Sequence, residues 1–169
     1  MSRHYPDRVR PEKVAAARRQ FAGWVALQSM QRLADVLEEP RASDGVEFEI
    51  DFKIDQQGQV VADVAVAGRV PLVCQRGLHR FEYPIESRSR LGLITDMAQA
   101  DALPEDYEPV LYEGDDLALT DLVQEEVLLA IPLVPVSPES EPVGEASPPV
   151  FEENAPTHRP FEMLGKIKK

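Results

Sequence analysis

The sequence predicts an α+β domain: an antiparallel β-meander, curled towards a barrel and packed by helices. A Pro- and Glu-rich linker and a short basic tail follow it. Three observations carry this reading. Apolar and charged residues alternate without a fault from Val46 to Ile54, the period-two signature of a strand with one buried face. Apolar residues recur at helical spacing on both sides of the strand region. Eight of the fifteen prolines fall between Pro132 and Pro160, where a packed core has too little apolar material to form. The expected division is one α+β domain over 1–136, containing an acidic connector at 96–118, then a linker over 137–160 and a basic segment over 161–169.

The first element is a helix. Pro11 and Glu12 suit its first turn, where a missing amide proton costs little and an acid meets the positive helix end. Val14 to Ala17 continue it to about Gln20. Gly23 interrupts the pattern, and Phe21, Trp24 and Val25 suit a short strand. A second helix is predicted from about Leu27 to Glu38, with Met30, Leu33, Ala34 and Leu37 on one face; one long bent helix is the alternative. Pro40 ends it.

The strand over 46–54 turns at Asp55–Gln59 into a partner beginning at Val60. Val60, Ala62, Val64, Val66, Gly68, Val70, Leu72 and Cys74 keep one parity, with Gly68 read as a bulge or bend. A turn at Gln75–Gly77 leads to a further strand, in which Phe81, Tyr83 and Ile85 share a face and Pro84 marks an edge or a bulge. After the acidic connector, a helix from Leu119 to Ala130 carries Leu119, Val123, Val127 and Ile131 on one stripe, and Pro132 closes it.

Charge is unevenly spread. The 169 residues carry 18 Lys and Arg against 30 Asp and Glu, a net charge of −12. Residues 1–41 are net +3, residues 101–156 hold fifteen acids and no Lys or Arg, and residues 157–169 are again +3. A general basic coat for nucleic acid is excluded, because counterion release needs clustered Lys and Arg. A local contact is not: Arg8, Arg10, Lys13, Arg18 and Arg19 group near the first helix, and Arg76, His79, Arg80, Arg88 and Arg90 around the last strands. If the two groups meet on one face they form a patch. Arg10, Arg18, Arg19, Arg80 and Arg88 are the candidates for touching RNA. The acidic third is either a solvated face or a surface for a basic partner.

Signals for an enzyme are weak. Cys74 is the single cysteine, which excludes an internal disulfide and a zinc site of several thiolates. His79 lies five residues on, across the predicted turn, but a buried inert thiol at a strand end is the plainer reading. The pairs Asp115–Asp116 and Glu125–Glu126 read as solvated charge rather than as a cation site. No phosphate loop, dinucleotide fingerprint or His-Glu-x-x-His occurs. No cofactor and no metal are expected. With no apolar run of membrane length and no secretory signal pattern at the start, the expected location is cytoplasmic.

Four stretches in register carry a specific resemblance. Val73-Cys74-Gln75-Arg76, Ala102-Leu103-Pro104-Glu105-Asp106-Tyr107-Glu108-Pro109, Glu126-Val127-Leu128-Leu129-Ala130-Ile131-Pro132-Leu133-Val134-Pro135, and Pro160-Phe161 with Leu164 and Lys166 resemble the YceD family, the large ribosomal RNA subunit accumulation proteins. The resemblance implies a bacterial cytoplasmic protein that supports synthesis, processing or stability of 23S ribosomal RNA, and supplies no catalytic residues. It singles out Cys74, Arg76, Glu126, Pro132, Pro135, Phe161, Leu164 and Lys166. The family commonly has Cys-x-x-Cys at the strand turn, and some members add Cys or His after the Pro-x-x-Pro segment. Here Gly77 stands at the second Cys position, and Val136, Ser137 and Pro138 follow Pro135, so a zinc clasp cannot be assembled. Ala118 stands where the family tends to place Asp, with Asp116 as a stand-in.

The expected function is therefore a noncatalytic factor in large-subunit biogenesis. Its expected partner is the large-subunit precursor, through 23S RNA, a basic ribosomal protein or both, with no DNA and no membrane. The rivals are a Mg²⁺-dependent RNA-processing enzyme and an acidic chaperone of a basic ribosomal protein. Phe161, Leu164 and Ile167 are spaced like one face of a short helix that docks on a partner or back on its own core.

Overall fold

A computed structural model describes residues 5–140. In chain order the elements are β1 (Arg8–Val9), α1 (Pro11–Ala16), β2 (Gln20–Ala26), β3 (Gly45–Ile54), β4 (Val60–Val73), β5 (Arg80–Ile94), β6 (Glu108–Leu111), β7 (Leu117–Ala118) and α2 (Leu119–Ala130). Five strands form one sheet in the order β2-β3-β4-β5-β6, and β1 pairs with β7 in a separate two-stranded ribbon. The described residues thus hold an α+β fold with an open, mostly antiparallel sheet. It does not close into a barrel.

The alternation read at 46–54 sets the sheet's two faces. Val46, Phe48, Ile50 and Phe52 are essentially fully buried, while Glu47, Glu49 and Asp51 between them are exposed. Register extends the buried face across the strands: Ile50 faces Phe21 on one side and Val64 on the other, and Phe52 faces Ala62. Both helices pack on this face. Gly23 is required there, because a Cβ would come within 2.6 Å of the Tyr5 ring, which stands edge-on to Phe48 at 4.8 Å.

Four expectations are corrected. The first helix ends at Ala16, not near Gln20, and Arg18 in the turn beyond it takes φ 45°. The helix expected over 27–38, or one bent helix through it, does not form. Two 3-10 turns, Leu27–Ser29 and Gln31–Leu33, replace it. The physical reason is the spacing. Leu27, Met30 and Leu33 are buried at every third position while Ala34 is exposed, which matches three residues per turn rather than 3.6. Gly68 is no bulge, since the register runs unbroken through Gly68 to Val46 and Ile85. It is instead a close approach: an added Cβ would lie 2.9 Å from Val46 Cγ1 and 3.0 Å from the Gly45 carbonyl oxygen.

The fourth correction concerns the connector. Residues 97–102 form a 3-10 segment whose start is capped by the Asp96 carboxylate accepting from the Ala98 amide. Leu103 then packs over Gly92, and the chain returns as β6, parallel to the end of β5. Parallel pairing needs such a crossover, so the acidic connector is partly folded. β6 pairs only with Leu91–Ile94. Among the described residues, the earlier half of β5 therefore has a free side, and Pro84 sits there, where a missing amide donor leaves no ladder bond unmade.

The last helix matches its predicted bounds, Leu119–Ala130. Residues 137–140, read from sequence as the start of the linker, pack against the β4–β5 turn, with Ser137 buried. Residues 141–169, holding the rest of that linker and the basic segment, lie outside the described residues. No described helix is long and apolar enough to cross a membrane. Removing the Phe52 ring, which packs edge-on to Phe21 at 6.0 Å, tests the buried face. Phe52→Ala is expected to lower unfolding free energy by about 3–5 kcal/mol, measured by the shift in the urea midpoint.

Candidate functional site

Two residues singled out from sequence hold the fold together. Glu126, read from sequence as solvated charge, instead lies on the inner side of α2 and is 1% exposed. Its Oε2 accepts hydrogen bonds from the Ser87 hydroxyl at 2.9 Å and the Ser89 hydroxyl at 2.8 Å. These serines occupy the buried parity of β5, opposite Val66 and Val64. A carboxylate in such a place is tolerated because hydroxyl donors meet it. Beside it, the Gln124 side chain accepts from the Arg32 amide at 3.1 Å, tying α2 to the second 3-10 turn.

Cys74 directly follows β4 and is fully buried. Its Sγ lies 2.8 Å from Ser140 Oγ and accepts from the amides of Gly77 and Ser137, each at 3.3 Å. The Gln75 amide donates to the Pro135 carbonyl at 2.8 Å. The segment after α2 is thereby fastened to the β4–β5 turn through the positions noted from sequence, Cys74, Gly77, Pro135 and Ser137. Burial pushes the thiol up, but the hydrogen bonds from Ser140, Gly77, Ser137 and Arg76 outweigh it and bring it down to about 6. The Sγ hydrogen bonds do not include the His79 ring; His79 meets Cys74 through its carbonyl, which accepts from the Cys74 amide. Arg76 is exposed and donates to the Ser140 carbonyl at 3.2 Å. Pro132 and Pro135, bracketing the segment that leads from α2, are half-buried.

The arginines do not gather in one patch. Arg10 pairs with Asp116 at 3.6 Å. Arg18 and Arg19 are exposed at the turn into β2, with the Arg19 guanidinium 6.0 Å from the Phe21 ring. Arg80 is a clamp: it donates to the Glu38 carbonyl and pairs with Glu82 at 2.8 Å and Asp44 at 3.6 Å. Arg88 is exposed on the open face of the sheet, opposite Ala65. Between it and β2 stand Glu49 and Asp51 on β3 and Asp63 on β4. Asp63 already binds Lys53 and Arg90.

A cleft of about 630 Å³ opens between β6 and α2. Its floor includes Glu126, and its walls carry Glu108, Leu111, Asp121 and Leu129. Nearby, Tyr112 donates to Glu12 and ties β6 to α1. That hydroxyl holds the Glu12 carboxyl below its usual range, while burial and the Glu12 charge push Tyr112 up to about 12. Sequence reasoning missed this cleft, because it depends on the crossover that brings β6 beside α2. No group of three or more metal-ligating side chains converges among the described residues. Phe161, Leu164 and Lys166 lie outside them.

Two outcomes test these anchors. Glu126→Ala strands the two serine hydroxyls and is expected to cost about 2–4 kcal/mol of stability; a double-mutant cycle with Ser89→Ala should show coupling of about 1 kcal/mol or more. For Cys74, ultraviolet thiolate absorbance should titrate with a midpoint near pH 6 and move upward in Ser140→Ala. Because the folded thiol titrates below the unfolded one, its contribution is fully present above the unfolded value near pH 8.5 and is lost as pH falls through about 6. Cys74→Ser should remove that part of the pH dependence in a denaturation series.

The family model described as "Large ribosomal RNA subunit accumulation protein YceD" matches residues 62–168. A curated protein of Haemophilus influenzae, named Large ribosomal RNA subunit accumulation protein YceD, is 31% identical over 97% of this chain and 96% of its own length. No solved structure gives a significant match. The similarity runs through the Cys74 turn, the β6 crossover, α2 and the chain's basic end alike, and on it this chain belongs to the YceD family.

Proposed function

We propose that the protein is a noncatalytic factor that supports 23S ribosomal RNA by binding precursors of the large ribosomal subunit in the bacterial cytoplasm. The carrying observation is the relation, along nearly the whole chain, to a protein named for large ribosomal RNA subunit accumulation. Membership of that family supports a role in large-subunit RNA accumulation; binding as the means is our reading.

The placement of the distinctive polar residues supports it. Glu126 and Cys74 are engaged in holding α2 and the following segment to the sheet. The exposed groups form surfaces instead. Arg18, Arg19 and Arg88 face solvent and are suited to local phosphate contacts, which position a protein on RNA without reading sequence.

A strain lacking the protein should show a lowered 50S peak in a sucrose gradient and less 23S relative to 16S RNA. Unchanged 50S and 23S levels would end the proposal. Magnesium-dependent cleavage of precursor 23S RNA by the purified protein, lost in Glu126→Gln, would replace it with an enzymatic one.

A further inference from the structure

We infer that the cleft between β6 and α2 is a docking site for a basic, extended protein segment carrying aliphatic side chains. Two features of the cleft call for such an occupant. Leu111 and Leu129 open into it while 45% and 70% exposed. Covering large aliphatic side chains takes apolar surface out of water, which is favourable. Around them stand carboxylates in unequal states. Glu125 is paired with Arg32, and Asp116 with Arg10, but Glu108, Glu113 and Asp121 have no cation within pairing distance among the described residues. Exposed leucines beside free carboxylates are complementary to Lys or Arg interleaved with Leu or Val.

The geometry disfavours the other occupants. Arg8 and Arg32 also line the cleft, but six carboxylates outnumber them, so phosphate is disfavoured there. A second copy would bring a chain of net charge −12 against the same rim. β6 is the sheet's last strand, but its edge is a poor template for strand addition. The Tyr112 amide donates inward to the Ile94 carbonyl, so alternation turns Pro109 and Leu111 outward. Pro109 has no amide proton to offer. Recognition therefore falls to side chains, with Leu111 the one complete backbone pair on the open edge.

The inference rests on the proposed function only for where such segments are met, among proteins of the assembling subunit. Its test is direct. The full-length protein is titrated calorimetrically with a synthetic peptide alternating Lys or Arg with Leu or Val, and backbone hydrogen exchange is followed with and without it. Micromolar binding and slowed exchange at residues 108–113 and 121–129 are expected. The exposed double variant Glu108→Lys/Asp121→Lys should weaken binding at least about tenfold, and Leu129→Asn several-fold. A peptide of equal charge with serines in place of Leu and Val should also lose about tenfold or more.

Equal binding by that serine peptide, or by the charge-reversed variant, would reduce the effect to attraction by net charge and overturn the site. So would slow exchange in the cleft of the free protein that is lost in Lys166→Gln/Lys168→Gln/Lys169→Gln, since the chain's own basic end would then be the occupant. If deletion lowers 23S RNA while the peptide fails to bind, the docking site falls and the function stands. If the peptide binds as expected while 23S is unchanged, the reverse holds.

Discussion

One constraint organises this molecule: the unbroken alternation along β3 gives the sheet an inner face that must be covered entirely from one side. Val46, Phe48, Ile50 and Phe52, with their neighbours on β2, β4 and β5, form a continuous apolar surface. Among the described residues, two short helices and a run of 3-10 turns cover it. The N-terminal segment contributes Tyr5, seated where Gly23 leaves room. The covering layer holds little regular structure, so its stability depends on where its few polar anchors attach.

Those anchors explain why polar residues stand at buried positions. Ser87 and Ser89 occupy the inner parity of β5, where apolar residues would otherwise be expected, and Glu126 reaches them from α2. An apolar seam would also exclude water, but it would allow α2 to slide; a carboxylate met by two hydroxyls fixes one register. Cys74 plays the corresponding part for the segment after the helix. One thiol joined to Ser140, Gly77 and Ser137 gathers two chain segments. The same anchors hold α2 where it leaves, with β6, the acidic and aliphatic cleft open.

Much of this was legible in the residues. The β3–β4 and β4–β5 hairpins, the parity ending in Cys74, the last helix and the local edge at Pro84 follow from periodicity and proline chemistry. The stretch from Leu27 to Leu33 contained its own answer, since buried residues every third position point to 3-10 turns, and Ala34 in the helical template concealed it. The candidate site was legible as residues rather than as an arrangement. Glu126 and Cys74 were marked by resemblance, but their serine partners were not, because Ser87, Ser89 and Ser140 carry no local signal.

By itself, the sequence determined the buried face of the central strands, where the strands turn, how charge divides along the chain, and the family to which it belongs. These follow from short-range period and composition, which act within a few residues of one another. The tertiary structure alone decided that the acidic connector crosses back as a parallel edge strand, that Arg80 is a clamp while Arg88 stays exposed, and that the two arginine groups remain apart. It alone placed free carboxylates beside exposed leucines. Each of these joins residues distant in sequence, and such pairings are fixed by sheet register and helix docking rather than by any local preference.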